Sequence, residues 1–446
     1  MRVLLLASNK EVEPYPTYPL GMSVVASALQ QHGHDVLQAD FLCHTKPLQT
    51  LLYQFSPQMI GISIRNIDNV DMLTPDSHWA LDAVKQVVKT IRTHAPGVPV
   101  ILGGPAVSIM PQAICDYCQA DCAVAGEGEH SATALAQRIE QGLPLPRVVI
   151  SGTTLSGASI SAPSFDPTLL EYYAQASGVV NLHTKRGCPN NCIYCTYPAL
   201  EGKTIRTREP EAVIEDIRRL QVTTSFTELF FTDSVFNDTE GHWLTLVEMM
   251  AQHNIVVPWT AFFQPTGLER DHIALCKATG LKAVELGTDA CANVTLKAMG
   301  KNFSFATAHK ATECCVAENI PCCHFVIVGG PGETKESLRE GLDNLNNLPP
   351  CLVMPFLGVR ILPGTPLHSL AIRHQVITQD NPCLLPTYYF SPQLTQEEAH
   401  AMVLASFRGN RLRLYPPAAA AQKMRALRGL GYRGILWDTL VHLAHG

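Results

Sequence analysis

The segment Lys185-Arg186-Gly187-Cys188-Pro189-Asn190-Asn191-Cys192-Ile193-Tyr194-Cys195 places three cysteines within eight residues, spaced C-x3-C-x2-C. Gly187 and Pro189 bend the backbone around whatever the thiols hold. Thiolates this close on one loop can ligate three corners of a single iron–sulfur cluster. A 4Fe-4S cubane has four corners and no fourth cysteine lies nearby, so one iron stays open for a small ligand. The alternatives are three ordinary cysteines in a Cys-rich chain, or half of a zinc site. Zinc would want a second Cys or His pair at a ribbon-like distance, and none stands out.

The chain offers ample scaffold for such a loop. Its 446 residues, 46% hydrophobic and 16% charged, suffice for two or three domains with large cores and exclude disorder. A net charge of -6, with 33 scattered Lys and Arg, presents no basic face for nucleic acid. The one basic concentration, Arg408 to Arg433, reads as a solvated helical face. Met1–Leu6 is too short an apolar run for a secretion signal and fits a first β-strand. No run approaches membrane-spanning length. Fifteen cysteines without such a signal point to a reducing, cytoplasmic compartment.

Residues 1–150 alternate short apolar runs with helical patterns, the mark of a parallel sheet with crossover helices. Strands are expected at Arg2–Leu6, His34–Asp40, Gln58–Ile64, Val98–Pro105 and Asp121–Ala125, with helices over about 22–31 and 79–93. Ligands of such sheets lie beyond the carboxyl ends of the strands. The residues there are Pro16–Gly21 (including Pro19), Ser63-Ile64-Arg65-Asn66, Gly103-Gly104-Pro105 and Gly126-Glu127-Gly128-Glu129. Glycines at these ends let backbone approach a large flat ligand. A nicotinamide site is disfavoured, because no G-x-G-x-x-G follows the first strand. Cys115, Cys118 and Cys122 carry helical spacing toward a core and are assigned no metal.

Residues 151–176 turn to Ser, Gly, Thr and Pro and read as a linker. Strand and helix alternate again over 177–370. Barrel strands are expected at Val179–Thr184, Glu228–Asp233, Val257–Pro265, Ala283–Asp289, Pro321–Gly329 and Val359–Leu367. The cysteine loop would sit on the carboxyl end of the first, where catalytic groups of β/α barrels lie. Asp233 ends the second strand, either as a polar ligand contact or as a helix cap. Glu285 faces the same side as Gly287 and Asp289 by two-residue alternation. The paired cysteines 314/315 and 322/323 read as small core residues. Residues 371–446 read as a small, mostly helical accessory region; Pro386–Pro392 could lie over the barrel mouth.

The cysteine spacing, with Tyr194 just before the third cysteine, resembles the cluster loop of the radical S-adenosylmethionine (SAM) superfamily. The P-x-x-P-L-G loop, the helix ending G-H-D-V, and the G-G-P and G-E-G-E turns resemble the cobalamin-binding domain that precedes class B radical SAM barrels. The resemblance implies an α/β chain: a Rossmann-like cobalamin-binding domain, a partial (β/α)6 barrel, and a helical C-terminal region. It implies a 4Fe-4S cluster on Cys188, Cys192 and Cys195, SAM on the open iron, and cobalamin. Tyr194, Asp233, Glu285, Gly329 and Gly330 would then meet SAM, the last two from a G-x-P-G-E-T turn. Cobalamin would lie on Pro19, Gly21, Ser63, Arg65, Asn66, Gly103, Gly104, Gly126, Glu127 and Gly128.

The lower axial histidine of D-x-H-x-x-G proteins is missing: Asp76-Ser77-His78-Trp79 lacks the glycine and sits in the wrong loop. Arg65 is expected under the corrin, keeping cobalt low-coordinate, unless it pairs with Asp68 or caps a helix. The implied activity is methyl transfer from SAM through methylcobalamin to an unactivated carbon of a small molecule. A low-potential donor such as flavodoxin or ferredoxin would supply electrons. The alternatives are polar transfer of the tryptophan 2-C type, with Glu285 on the open iron, or a non-methyl reaction such as cyclisation.

Overall fold

The computed structural model describes residues 1–43, 46–74, 80–150 and 154–445. The Asp76–Trp79 string and the Ser151–Thr153 part of the linker lie outside the described residues. Two parallel six-stranded sheets organise the molecule. The first contains β1 (Arg2–Ala7), β2 (Asp35–Asp40), β3 (Met59–Ser63), β4 (Val100–Gly103), β5 (Cys122–Ala125) and β6 (Val148–Ile150), in the order β2-β1-β3-β4-β5-β6. Such a sheet is sandwiched by helices, so its strands are apolar on both faces. Val3 to Ala7 are all buried. The helix Ala80–His94 turns Leu81, Val84, Val88 and Ile91 inward at helical spacing. Cys115 and Cys118 pack inside the helix Pro111–Cys118 and Cys122 inside β5. The sixth strand is a short edge element with no sequence signature of its own.

The second sheet is an open barrel. Its strands are β7 (Val179–Leu182), β8 (Glu228–Phe231), β9 (Trp259–Phe263), β10 (Leu281–Asp289), β11 (Cys322–Val328) and β12 (Leu352–Leu357), paired in sequence order. The sixth strand is therefore not Val359–Leu367. Leu352–Leu357 contains Pro355, which a ladder tolerates at an edge; β12 pairs with β11 and meets only an isolated bridge, Val353 to Arg413, on its other side. Val359–Arg360 instead pairs antiparallel with Tyr388–Tyr389. This brings Phe390 and Ser391 to the carboxyl end of β11, where Ser391 N donates to Gly329 O at 2.8 Å.

The barrel is closed at its amino end by the last helices, Pro417–Gly429 and Trp437–His445. Met424, Ile435, Leu436, Trp437 and Leu440 pack against the inward residues Val179, Phe230, Ala283, Cys323 and Leu352. Ile435 N donates to Glu228 Oε2 at 3.0 Å. Tyr15, from the Pro-rich loop of the first sheet, enters the same core and packs on Phe230. No helix among the described residues is long and apolar enough to cross a membrane.

Candidate functional site

The cysteine loop leaves β7 through a two-residue strand, Lys185–Arg186, which pairs antiparallel with Arg206–Thr207. Gly187 adopts φ +100°, and a Cβ there would lie 2.1 Å from Thr204 O. Only glycine fits. Cys188 is buried, whereas Cys192 and Cys195 are partly open. The loop is pinned from across the barrel: Ile193 N donates to Met299 O at 3.1 Å, and Leu367 N to Ile193 O at 2.9 Å. Burial pushes the Cys195 thiol up to about 12, a protonated state that only a bound cation or cluster would reverse. Three thiols on one pinned loop, two facing open space, fit an iron–sulfur cluster.

The first sheet is bolted to this loop by charge. Arg186 donates to Glu129 Oε1 at 2.7 Å and lies 3.5 Å from Glu127, which also holds Arg206 at 2.6 Å. Glu127 Oε2 accepts from Leu155 N at 2.7 Å. Glu127 was expected to meet the corrin; its carboxylate instead serves the inter-domain ion pairs. The carboxyl ends of both sheets thus face one cleft. Arg65 is exposed, and among the described residues its guanidinium has no hydrogen-bond or ion-pair partner. Asp68, its alternative partner, is taken by Arg360 at 2.8 Å. Arg65 projects toward Tyr15 and Tyr197, whose hydroxyls feel its charge.

The glycines divide by what surrounds them. A Cβ on Gly21 or Gly103 would meet nothing within 4 Å, so backbone is bare there, as a flat ligand requires. Gly104, at φ +101°, is closed on Ile64 O, and Gly128 packs on Val25. Gly126, also at positive φ, is held by Ser108 Oγ at 3.0 Å. These three are glycines for internal reasons. Pro19 caps the helix Leu20–Gln31, and Ser63 O receives Ser8 Oγ, tying β3 to β1. Asn66 is half-buried beside Arg65. Bare backbone at Gly21 and Gly103, with an unpaired cation between them in sequence, fits a corrin.

Within the barrel the structure corrects several expectations. Asp233 is fully buried and spent on its own chain: Thr184 N reaches it at 2.8 Å and Lys185 N at 3.3 Å, with Thr184 Oγ1 on its other oxygen. It fastens the end of β7 rather than facing a ligand. Gly329 is closed by the Phe390 ring, and Gly330 by Met299 Sδ at 3.1 Å. Glu333 accepts from Gly329 N, and burial lifts its carboxyl to about 7.

Glu285 is the largest revision. It is 4% exposed and accepts from Trp437 Nε1 at 2.8 Å, on the barrel floor. Burial raises its carboxyl to about 8; the Trp437 bond opposes and nearby Glu228 adds to the rise. At neutral pH it is an uncharged acid. The carboxylate that meets the cysteine loop is Asp289, four residues on and roughly 13 Å along the strand. A register shift beside Gly287 and φ +60° at Asp289 break the alternation that was expected to align it with Glu285. Tyr194 Oη donates to Asp289 Oδ2 at 2.6 Å, and Lys301 forms an ion pair with the same oxygen.

Further residues meet the cleft without a sequence signal. His183, at the end of β7, stands 4.0 Å from Glu201, whose carboxyl burial pushes up to about 7. Burial, with Arg186 and Arg208 nearby, holds His183 down at about 3, so its ring is neutral. Phe262 points inward from β9 yet is 39% exposed, so the barrel is open above it. A separate group, Cys322, His324 and Cys351, brings ligand atoms within 4.8 Å of one another. Both His324 nitrogens are occupied, by Thr288 at 2.8 Å and Thr312 at 2.9 Å, which makes it a closed polar knot in the core.

Comparison with known proteins agrees with this geometry. The B12 binding domain model matches residues 11–136 and the radical SAM superfamily model residues 182–345. Tryptophan 2-C-methyltransferase of Streptomyces laurentii is 23% identical over 440 residues, covering 80% of this chain and 72% of that protein. Hopanoid C-3 methylase of Methylococcus capsulatus is 25% identical over 336 residues, covering 68% of this chain and 60% of that one. The structure of the radical SAM methyltransferase TsrM from Kitasatospora setae, with cobalamin and a 4Fe-4S cluster bound, superposes with a TM-score of 0.83. It covers 99% of this chain and 97% of its own at 22% identity. The molecule is thus a radical SAM protein with an N-terminal B12-binding domain. Its domain order is that of the cobalamin-dependent methyltransferases to which it is similar.

Proposed function

We propose that the chain is a cobalamin- and SAM-dependent methyltransferase acting on an unactivated carbon of a small molecule. The observation that carries this is the join between the two sheets: the Arg186–Glu129–Glu127–Arg206 ion pairs tie the three-thiol loop of β7 to the carboxyl edge of the first sheet, where Gly21 and Gly103 leave backbone bare. Bound together, the cluster and SAM supply hydrogen abstraction from carbon, and cobalamin relays a methyl group from SAM. Cys188, Cys192 and Cys195 hold the cluster and leave one iron open to SAM. Gly21, Ser63, Asn66 and Gly103 cradle the corrin. Arg65, exposed and without a partner among the described residues, would present its positive charge to the corrin. Phe230, Tyr15 and neutral Glu285 form an apolar, uncharged floor below the open side of the barrel at Phe262.

On this reading residues 1–150 form the corrin domain, 151–176 the linker, 177–370 the barrel, and 371–446 an accessory region that supplies the floor. A low-potential flavodoxin or ferredoxin in the cytoplasm is the electron source. Withdrawal of Glu285 to Trp437 leaves the iron to SAM and favours radical initiation. The polar alternative rests on Asp289, a carboxylate against the cluster loop. Anaerobic incubation with cobalamin, SAM and a strong reductant separates the two. 5′-Deoxyadenosine above a Cys192→Ala control supports the radical route. Its absence from protein loaded with both cofactors moves the assignment to polar transfer.

A further inference from the structure

The turn after β10 does more than cover the cysteine loop. Its helix, Asn293–Ala298, ends at Met299-Gly300-Lys301, and a Cβ on Gly300 would lie 2.4 Å from Asn191 O. That contact, with the Ile193–Met299 bond, seats Lys301 directly over the loop. The Lys301 side chain is 9% exposed. Its ammonium lies against Asp289 Oδ2 and 5.7 Å from the Tyr194 ring centre, near enough to Cys192 and Cys195 for its charge to act on both thiols. Ser234 Oγ, beside Cys188, donates to Gly187 O at 3.1 Å. Two of the three thiols therefore lie within reach of one largely buried cation, itself paired with a partly buried carboxylate.

We propose that Lys301 and Asp289 set the reduction potential of the cluster. The reasoning rests on the cluster assignment made above. Reduction adds negative charge to a cluster whose potential follows its hydrogen bonds and local charge. A positive charge held beside the loop stabilises the added electron of the reduced state, while Asp289 opposes it. Tyr194, bonded to the same Asp289 oxygen, keeps that carboxylate from moving onto the cluster. The pair is a tuning device held beside the cluster loop, and it predicts shifts of opposite sign.

The test is an EPR-monitored redox titration of anaerobically reconstituted full-length protein without SAM, after iron and sulfide counts. Lys301→Met leaves the carboxylate alone beside the cluster and lowers the midpoint. The expected change is at least tenfold in the reduction equilibrium, about 59 mV for one electron. Asp289→Asn leaves the cation alone and raises the midpoint, while Lys301→Arg restores most of the wild-type value. Midpoints that do not move, or that move the same way in both variants, overturn the proposal. Should Lys301→Met take up no cluster, Asp289→Asn decides: a rise supports the proposal, and an unchanged or lower midpoint overturns it. Wild-type protein without iron overturns the cluster assignment and the proposal together, a result the iron count distinguishes from an unmoved potential.

Discussion

Glu285→Gln turns the revised role of this residue into a number. The wild-type carboxyl is buried, accepts from Trp437, and titrates near 8 instead of its ordinary 4.5. The folded state therefore keeps a proton that the unfolded chain has lost between those pH values. Stability must fall as pH rises through that window, by about 1.4 kcal/mol per pH unit, and level off above about 8. The total is on the order of 5 kcal/mol. Glutamine keeps an acceptor for Trp437 and cannot ionise. The variant should match wild type near pH 4.5, and its advantage should widen steadily toward pH 8. Urea unfolding of the apoprotein, followed by Trp fluorescence at a series of pH values, measures the gap. A gap that does not change with pH would show that Glu285 is ionised throughout, and the neutral-floor reasoning would fail.

Other consequences can be checked with single substitutions. Arg186→Met removes the cation from a buried pair and leaves Glu129 uncompensated, a loss of about 3–5 kcal/mol; limited proteolysis should cut residues 154–165 sooner, and an unchanged pattern would dispute the bolt. Gly103→Ala should fold normally but bind hydroxocobalamin more weakly by corrin absorbance, because its Cβ enters the bare cradle. Gly104→Ala should instead lower thermal stability, since its Cβ would lie 2.7 Å from Ile64 O at a positive φ. Asp233→Asn should destabilise the β7 end without changing SAM affinity measured by calorimetry; a selective loss of affinity would restore its role as a ligand contact.

Local chemistry was readable from the sequence wherever it was carried by consecutive residues. The Cys188–Cys195 loop and the two alternating strand–helix halves follow from short-range pattern. What the pattern missed depends on partners far away in sequence. Glu127 looked like a ligand-facing turn residue because nothing marks Arg186 and Arg206 as its neighbours. Glu285 was expected to meet SAM, or in the polar alternative the open iron, because alternation along β10 was assumed unbroken, and a bulge next to Gly287 is invisible in composition. Trp437 gave no sign that it reaches back 152 residues to that carboxyl. The sixth barrel strand was displaced because Pro355 argues against a strand unless its edge position is known. Lys301 stood in plain view, but only the folded turn shows it over Cys192.

The account stands or falls on methyl traffic through a corrin held opposite the cysteine loop. Mass spectrometry of the protein-bound corrin after anaerobic incubation with cobalamin, reductant and SAM labelled in its methyl group tests this directly. The account predicts one corrin per chain carrying the labelled methyl, and loss of corrin from a Gly103→Leu variant that retains its iron. Iron-replete protein that retains no corrin, or whose corrin never acquires the label, would contradict it.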